Sequence, residues 1–199
     1  MSHSHGGIPL DSTNPAKRAL RAELRLEREL HFAPASWSHI LHSREIQDAH
    51  AVASYISYGF EPQTQDINNA LIRAGKTLLL PRTLEDHDIE WVIWGGSETS
   101  LKKNGRVFEP IGEAFLDLNT IEVVIVPALQ IDPEGNRIGQ GGGSYDRALS
   151  RLSGWKVGLV GARELAVERL PIERHDQRVD AAATPALLRR FTLGAPSHL

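Results

Sequence analysis

The chain of 199 residues carries 22 lysines and arginines against 25 aspartates and glutamates, which gives a formal net charge of −3. This length favours one compact domain, and the charge provides no overall positive field that would attract nucleic acid or an anionic membrane. Cysteine is absent, which excludes disulfides, thiolate zinc sites and cysteine nucleophiles. No apolar run reaches the ~18 residues of a membrane span, and no secretory signal is evident, so we expect a cytoplasmic protein; we further expect a monomer.

The first predicted element is a helix that begins with Asn14 as N-cap and Pro15 at the first helical position. Leu20, Leu24 and Leu30 are expected to form an apolar stripe along it. The same kinds of pattern predict further helices over residues 36–48, 64–75, 144–152 and 164–170.

Between these helices lie apolar runs typical of buried strands, over residues 50–58, 76–83, 89–94, 121–129 and 155–162. Residues 95–119 read mostly as loop, which would permit a mobile cover. Strands alternating with helices predict a three-layer α/β/α fold with a mostly parallel central sheet. We expect residues 14–199 to form this single domain, and residues 1–13 to be a disordered tail.

The stretch GNRIGQGGGSYDRAL, residues 135–149, places five glycines after the most apolar strand. In an open α/β sheet, ligands bind at the carboxyl ends of the strands, which is where this loop falls. Glycine permits positive φ and lets successive backbone N–H groups turn toward an anion. The segment therefore predicts a phosphate-binding loop.

Two familiar phosphate loops do not fit this segment. The Walker pattern requires Lys-Ser/Thr after its last glycine, whereas Ser144 and Tyr145 follow Gly143. The dinucleotide fingerprint requires its first glycine at the strand end, which disfavours an NAD-dependent oxidoreductase. A flexible surface loop stays the alternative. Arg137 could bind phosphate oxygens, and Asp146 could bind a cation that bridges them, so the segment favours a nucleotide triphosphate site.

The longer stretch VPALQIDPEGNRIGQGGGSYDRAL, residues 126–149, resembles the signature of the 5-formyltetrahydrofolate cyclo-ligase family. Other segments along nearly the whole chain fit the family pattern: Lys17 with Arg21, Glu61 with Thr64, Leu80-Pro81, Phe108-Glu109-Pro110, and LPIERHDQRVD at 170–180. Two departures fall in the loop. Ser144 stands where the family commonly has the first of two tyrosines, and Gln140 stands where some members carry a basic residue.

The resemblance implies an ATP- and Mg²⁺-dependent reaction that converts 5-formyltetrahydrofolate into 5,10-methenyltetrahydrofolate with release of ADP and phosphate. The formyl oxygen would attack the γ-phosphate, and N10 of the folate would displace the phosphate to close the ring. The protein would align two small molecules and neutralise charge, as in other phosphoryl transfers. The alternative is a paralogue of the same fold that binds a nucleotide or a folate without closing the ring.

The resemblance also implies roles for individual residues. Arg137 and Tyr145 would be catalytic, and Asp146 and Asp176 would hold the metal. The folate would contact Ile56, Glu61 and Tyr145. The ATP site would comprise Lys17, Arg21, Arg137, Ile138, Gly139, Gln140, Gly141, Gly142, Gly143, Ser144 and Tyr145.

Each of these residue types also has an ordinary structural explanation. Lys17 and Arg21 could belong to a solvated basic helix face that includes Arg25 and Arg28, and Glu61 could be a turn acid. In the same way, a tyrosine at a helix start often packs against the core, and an aspartate there complements the helix dipole. For Lys17, Arg21 and Glu61 it is the family match that favours the functional roles, whereas Arg137 also stands at the start of the glycine segment.

Overall fold

The computed structural model describes residues 14–192, within which the chain forms four α-helices and eleven strands. The helices are α1 (Pro15–Leu30), α2 (Arg44–Asp48), α3 (Gln65–Arg73) and α4 (Ser144–Leu149). The strands are β1 (Ala51–Ala53), β2 (Thr77–Thr83), β3 (Ile89–Ile93), β4 (Leu101–Asn104), β5 (Val107–Pro110), β6 (Val123–Pro127), β7 (Gln130–Ile131), β8 (Arg137–Ile138), β9 (Trp155–Leu159), β10 (Ala181–Ala183) and β11 (Leu188–Arg190). No helix in this range is long and apolar enough to cross a membrane. The predicted disordered tail, residues 1–13, lies outside the described residues.

Seven strands form the central sheet in the order β11-β10-β9-β6-β1-β2-β3. The five inner strands run parallel, and only the edge strands β3 and β11 are antiparallel to their neighbours. The mostly parallel sheet is therefore confirmed. The chain runs from β1 outward to β2 and later returns to the other side of β1 as β6, so the strand order reverses between β1 and β6. Such a reversal opens a crevice at the carboxyl ends of the two strands.

Apolar side chains cover both faces of the sheet, because successive strand residues point to opposite sides. On β6, Val123 and Ile125 pack in one core with α2 and α3, whereas Val124 and Val126 pack in the other with α4. Both cores are buried, and helices cover each face of the sheet. This confirms the three-layer α/β/α arrangement.

Three predicted elements differ from the structure. The helix predicted over 36–48 is broken at Ser43, whose side chain caps α2, and a 3₁₀ turn precedes it. The predicted loop 95–119 contains the antiparallel hairpin of β4 and β5. The helix predicted over 164–170 is wrong: the backbone of Glu164 and Ala166 pairs with Ile131, and no helical turn forms over these residues.

The buried face of α1 also differs from the prediction, because it is basic. Lys17, Arg21 and Arg28 are the buried residues of this helix, whereas Leu30 is 65% exposed and the other two leucines of the predicted stripe are only partly buried. Arg28 forms a two-point ion pair with Glu164, with both N–O distances 2.6 Å. Helix α1 therefore packs by charge pairing against loops at the carboxyl edge of the sheet.

The turn that leads into the glycine segment is built around the carboxylate of Asp132, which is 1% exposed. It accepts hydrogen bonds from the backbone N–H groups of Glu134 and Asn136, each at 2.9 Å, and from Leu170 N at 3.0 Å. The side-chain amide of Asn136 donates a fourth bond at 2.8 Å. One carboxylate thus ties this turn to the distant segment that ends at Leu170.

We predict that Asp132→Ala lowers the free energy of unfolding by at least about 1 to 3 kcal/mol, because it leaves buried donors without an acceptor. Chemical denaturation would measure this loss. Asp117→Ala, at an exposed aspartate, should change stability by no more than about 0.5 kcal/mol. Equal stability of the two variants would show that the Asp132 hydrogen bonds do not hold the turn.

Candidate functional site

A cavity of about 250 Å³ lies where the strand order reverses, at the carboxyl ends of β1, β2 and β6. Its wall is formed by residues after these strands, by α1 and by the start of α4. Every residue that the sequence analysis assigned to ATP, folate or metal lines it: Lys17, Arg21, Ile56, Glu61, Arg137, Ile138, Gly139, Gln140, Gly141, Gly142, Gly143, Ser144, Tyr145, Asp146 and Asp176.

The glycine segment has two structural reasons for its composition. Gly141 and Gly143 have φ of +109° and +67°, in the region that side chains disfavour. A Cβ on Gly139 would lie 2.9 Å from Nη1 of Arg137, so this glycine makes room for the arginine side chain. The loop therefore curves around a guanidinium group of its own chain.

Two arginines of α1 hold the same loop from outside. Nε of Arg21 donates to the carbonyl of Gly139 at 3.2 Å. Arg25 donates from Nε to the side-chain oxygen of Gln140 at 2.9 Å and from Nη2 to its carbonyl at 2.7 Å. Arg25 was assigned no role from the sequence. Its spacing of four residues from Arg21 places both side chains on one face of α1, and this was the available signal that both contact the glycine loop.

The cations and anions of the cavity are paired with each other. Lys17 is 1% exposed. Its Nζ lies 2.9 Å from Oε2 of Glu173 and also forms an ion pair with Oδ2 of Asp176. Nη2 of Arg137 lies 2.7 Å from Oδ1 of Asp146. Asp146 also accepts a bond of 3.0 Å from a backbone N–H. Two assigned phosphate ligands therefore neutralise the two assigned metal ligands.

Several buried polar atoms on the cavity wall have no hydrogen-bond partner among residues 14–192: Nη1 of Arg21, Nε of Arg137 and the hydroxyl of Tyr145. Both arginines are more than nine-tenths buried. A buried donor without a partner is costly, and in a native protein it requires an explanation. Because Arg21, Arg137 and Tyr145 line the cavity, acceptor oxygens of a ligand there are candidate partners for these atoms.

Glu61 is presented by a tightly hydrogen-bonded turn after β1. The hydroxyl of Thr64 donates to the carbonyl of Tyr55 at 2.6 Å and accepts from Ser57 N at 3.2 Å, and Tyr58 N donates to the Glu61 carboxylate at 3.3 Å. Thr64 is the N-cap residue of α3, but its side chain braces the turn and makes no capping hydrogen bond. Burial raises the pKa of Glu61 to about 7, although the Tyr58 N–H, Arg28 and Gln140 partly oppose this shift.

Tyr145 lines the cavity and packs beside Trp91 and Arg137. Its ring packs edge-on against Trp91, with 6.5 Å between the ring centroids. The guanidinium carbon of Arg137 lies 6.0 Å from the centroid of the Tyr145 ring. Burial, and then the nearby charge of Glu61, raise the pKa of Tyr145 well above its ordinary value. Its hydroxyl therefore stays protonated and is a hydrogen-bond donor at neutral pH.

The structure adds wall residues that the sequence analysis did not assign. Glu173 joins His175 and Asp176 in a cluster whose ligand atoms lie within 4.8 Å of one another. Phe108 and Glu109 bring the β4–β5 hairpin to the cavity, and Glu109 accepts a bond from Thr83 N at 3.0 Å. Their place in the Phe-Glu-Pro match was the available signal.

Oxygen ligands for a hard cation are present at one end of the cavity. Asp146, Glu173 and Asp176 line it beside the unpartnered arginine atoms, so carboxylates and anion donors occur together. Magnesium commonly takes one or two protein carboxylates and fills its other positions with phosphate oxygens and water. This donor set fits a magnesium ion bound together with a polyphosphate.

A larger cavity of about 450 Å³ lies beside the C-terminal half of α1. Its most buried charged residue, Arg28, donates from Nε and Nη2 to Glu164 and from Nη2 to the carbonyl of Ala128. None of the assigned site residues lines this cavity. The unsatisfied donors therefore favour the smaller cavity as the functional site.

Known proteins resemble the chain over most of its length. The sequence pattern of the 5-formyltetrahydrofolate cyclo-ligase family matches residues 14–185. The 5-formyltetrahydrofolate cyclo-ligase of Escherichia coli is 31% identical over 144 residues, covering 69% of this chain and 79% of its own. The 5-formyltetrahydrofolate cyclo-ligase of Mus musculus is 25% identical over 190 residues, covering 85% of this chain and 93% of its own.

A solved structure leads to the same family. The NMR structure of Aquifex aeolicus 5,10-methenyltetrahydrofolate synthetase superposes with a TM-score of 0.75 at 28% identity, and the match covers 92% of this chain and 95% of that one. The family match, residues 14–185, includes every segment that lines the cavity. The chain belongs to the 5-formyltetrahydrofolate cyclo-ligase family of enzymes.

Proposed function

We propose that the chain uses ATP and Mg²⁺ to convert 5-formyltetrahydrofolate into 5,10-methenyltetrahydrofolate, with release of ADP and phosphate. The observation that carries this proposal is one cavity with two kinds of wall. One part offers unpartnered arginine donors beside carboxylates, and the other offers the buried acceptor Glu61 among apolar side chains. A phosphate donor and a heterocycle with N–H groups could therefore lie side by side.

The ATP phosphates would lie against the glycine loop. Arg21 and Arg137 have free donor atoms for phosphate oxygens, and Lys17 could turn from its carboxylates to a phosphate. The wall segment Ile138, Gly139, Gln140, Gly141, Gly142, Gly143 and Ser144 would supply backbone contacts. The metal would be held by Asp146 and Asp176, where it would neutralise negative charge on the phosphate oxygens.

The folate would occupy the part of the cavity beside β1. As a carboxylate, Glu61 would accept hydrogen bonds from the donor edge of the pterin, and Ile56 would contact the ring. Tyr145 carries a protonated hydroxyl without a partner among the described residues. This hydroxyl could donate to the formyl group and hold its oxygen toward the γ-phosphate.

In the first step, the formyl oxygen would bond to the γ-phosphorus while the bond to the bridging oxygen breaks and ADP leaves. N10 would then bond to the formyl carbon, lose its proton and displace phosphate, which closes the ring. Arg137 would stabilise the charge that develops on the transferring phosphoryl group, because its guanidinium is buried and fixed before the reaction. No covalent bond to the protein is required.

Product formation tests this proposal directly. The purified protein, mixed with ATP, Mg²⁺ and 5-formyltetrahydrofolate, should develop the absorbance band of the methenyl product, and omission of ATP should abolish the band. A paralogue that only binds nucleotide or folate would give ligand binding without the band, and that result would reject the proposed activity. Cytoplasmic location and a monomeric state stay predictions.

We predict that Glu61→Gln weakens folate binding more than ATP binding, because a neutral amide accepts weaker hydrogen bonds than a carboxylate. In the parent protein, the pKa of about 7 leaves Glu61 mostly protonated below that pH and ionised above it. Folate affinity should therefore rise as the pH increases through 7. Calorimetric titration of each ligand at several pH values would measure both effects.

Glu61→Gln should lose this pH dependence, because the amide does not titrate. The variant itself provides the control through its ATP affinity, which should stay close to that of the parent. Equal weakening of both ligands would indicate a misfolded site. A pH profile identical to that of the parent would remove Glu61 from folate recognition.

We predict that Arg137→Ala reduces turnover by some tens to thousands of times while the chain stays folded. Removal of one partner from a buried charged contact costs on the order of 2 to 5 kcal/mol, and this loss would be felt in the transition state. Arg137→Lys should recover only part of the rate, because lysine lacks the planar fork. Steady-state kinetics and thermal melts would measure rate and folding.

Arg44→Ala is the matched control for Arg137→Ala, since Arg44 is exposed, pairs with Asp48 and lies outside the cavity wall. Its turnover should stay close to that of the parent. If Arg137→Ala also kept the parent rate and ATP affinity, the proposed phosphate site would be wrong.

We predict that Asp146→Asn raises the Mg²⁺ concentration for half-maximal activity more than Asp176→Asn does. Asp146 stands at the first turn of α4, directly after the glycines, whereas Asp176 shares its end of the cavity with Glu173. Activity would be measured against Mg²⁺ at saturating ATP and folate, with thermal melts in parallel. An unchanged Mg²⁺ curve for Asp146→Asn would show that this carboxylate only pairs with Arg137.

A further inference from the structure

Lys17 places a positive charge within a group of potential metal ligands. Its side chain is 2% exposed, and its ammonium contacts the carboxylates of Glu173 and Asp176. Together with His175, these residues form the cluster whose ligand atoms lie within 4.8 Å of one another. The ammonium therefore engages oxygens that a divalent cation would need.

We propose that Lys17 is a tethered counterion that keeps divalent cations out of this cluster until a nucleotide enters the cavity. The inference rests on the proposed function, because it concerns the order in which nucleotide and metal bind. Glu173 was assigned no role from the sequence. In this proposal it is a positioning residue that helps to hold Lys17 beside Asp176 in the absence of nucleotide.

Charge balance is the physical reason for this order. A divalent cation approaching the empty cluster meets the Lys17 ammonium, which repels it and already donates to two of the carboxylates. A polyphosphate changes the balance, since it offers Lys17 new acceptors beside the unpartnered atoms of Arg21 and Arg137. Once Lys17 turns to phosphate, the carboxylates become available to the metal.

The geometry of the cluster supports an exchange of partners rather than a collapse of the loop. The Asp176 carboxylate also accepts a bond of 2.6 Å from the backbone N–H of Glu173, so it remains fixed when Lys17 leaves. The Glu173 side chain is partly exposed, so solvent can reach it after the ammonium moves. Neither carboxylate needs a new backbone conformation to receive a cation.

Manganese binding without any nucleotide tests the proposal. Free Mn²⁺ would be measured by electron paramagnetic resonance in titrations of the parent, Lys17→Gln and Lys76→Gln. Lys76 donates to backbone carbonyls of Gln47 and Ala49 and does not line the cavity, so its variant matches the change in net charge. Lys17→Gln should bind Mn²⁺ about 10- to 100-fold more tightly, the equivalent of one charged hydrogen bond.

A double variant controls for the site of binding: Lys17→Gln with Glu173→Gln should lose most of the gain in Mn²⁺ affinity. If Lys17→Gln is unstable, Glu173→Gln keeps the test decisive. Glu173→Gln alone changes a partly exposed side chain, and it should bind ATP at least about threefold more tightly in EDTA, because Lys17 is then held by one carboxylate instead of two.

The proposal would be overturned if Lys17→Gln bound Mn²⁺ no more tightly than Lys76→Gln, or if Glu173→Gln left ATP affinity in EDTA unchanged. Its failure is distinct from failure of the proposed function. Formation of the methenyl product by the parent protein tests that function alone, whereas the Mn²⁺ titration contains neither nucleotide nor folate.

Discussion

The burial of basic side chains from α1 against distant carboxylates determines how the whole site is assembled. Lys17 and Arg28 reach Glu173, Asp176 and Glu164, and these ion pairs fasten the helix across the carboxyl edge of the sheet. A buried charge is costly unless it is paired, so these contacts favour the docking of the helix against the C-terminal loops. The cavity is the space that this arrangement leaves open.

The rest of the fold brings complementary chemistry to that space. The reversal of strand order between β1 and β6 places the Glu61 turn beside the segment that leads to the glycine loop. The glycines let the loop bend around Arg137, while Arg21 and Arg25 hold it from the helix. Arginine donors and the buried carboxyl group of Glu61 therefore line one cavity, which suits a reaction between two small molecules that are held side by side.

Local patterns were sufficient to predict much of this architecture. The apolar runs predicted the inner strands β1, β2, β6 and β9, and the glycine segment was correctly placed at a strand end. Features that depend on remote partners were not predictable. The basic face of α1 is buried because it pairs with carboxylates that lie more than 130 positions away in the sequence. The segment 164–170 is not helical, because the backbone of Glu164 and Ala166 pairs with Ile131. Strand β10 is three alanines, whose weak strand preference is overridden by the neighbouring β9.

The central claim is that the cavity holds both substrates so that the formyl oxygen attacks the γ-phosphate of ATP. Its most direct test uses 5-formyltetrahydrofolate that carries a heavy oxygen isotope in the formyl group, followed by mass spectrometry of the phosphate released in a single turnover. The account predicts that one labelled oxygen from each formyl group appears in the phosphate. Phosphate without label, formed together with the methenyl product, would contradict it.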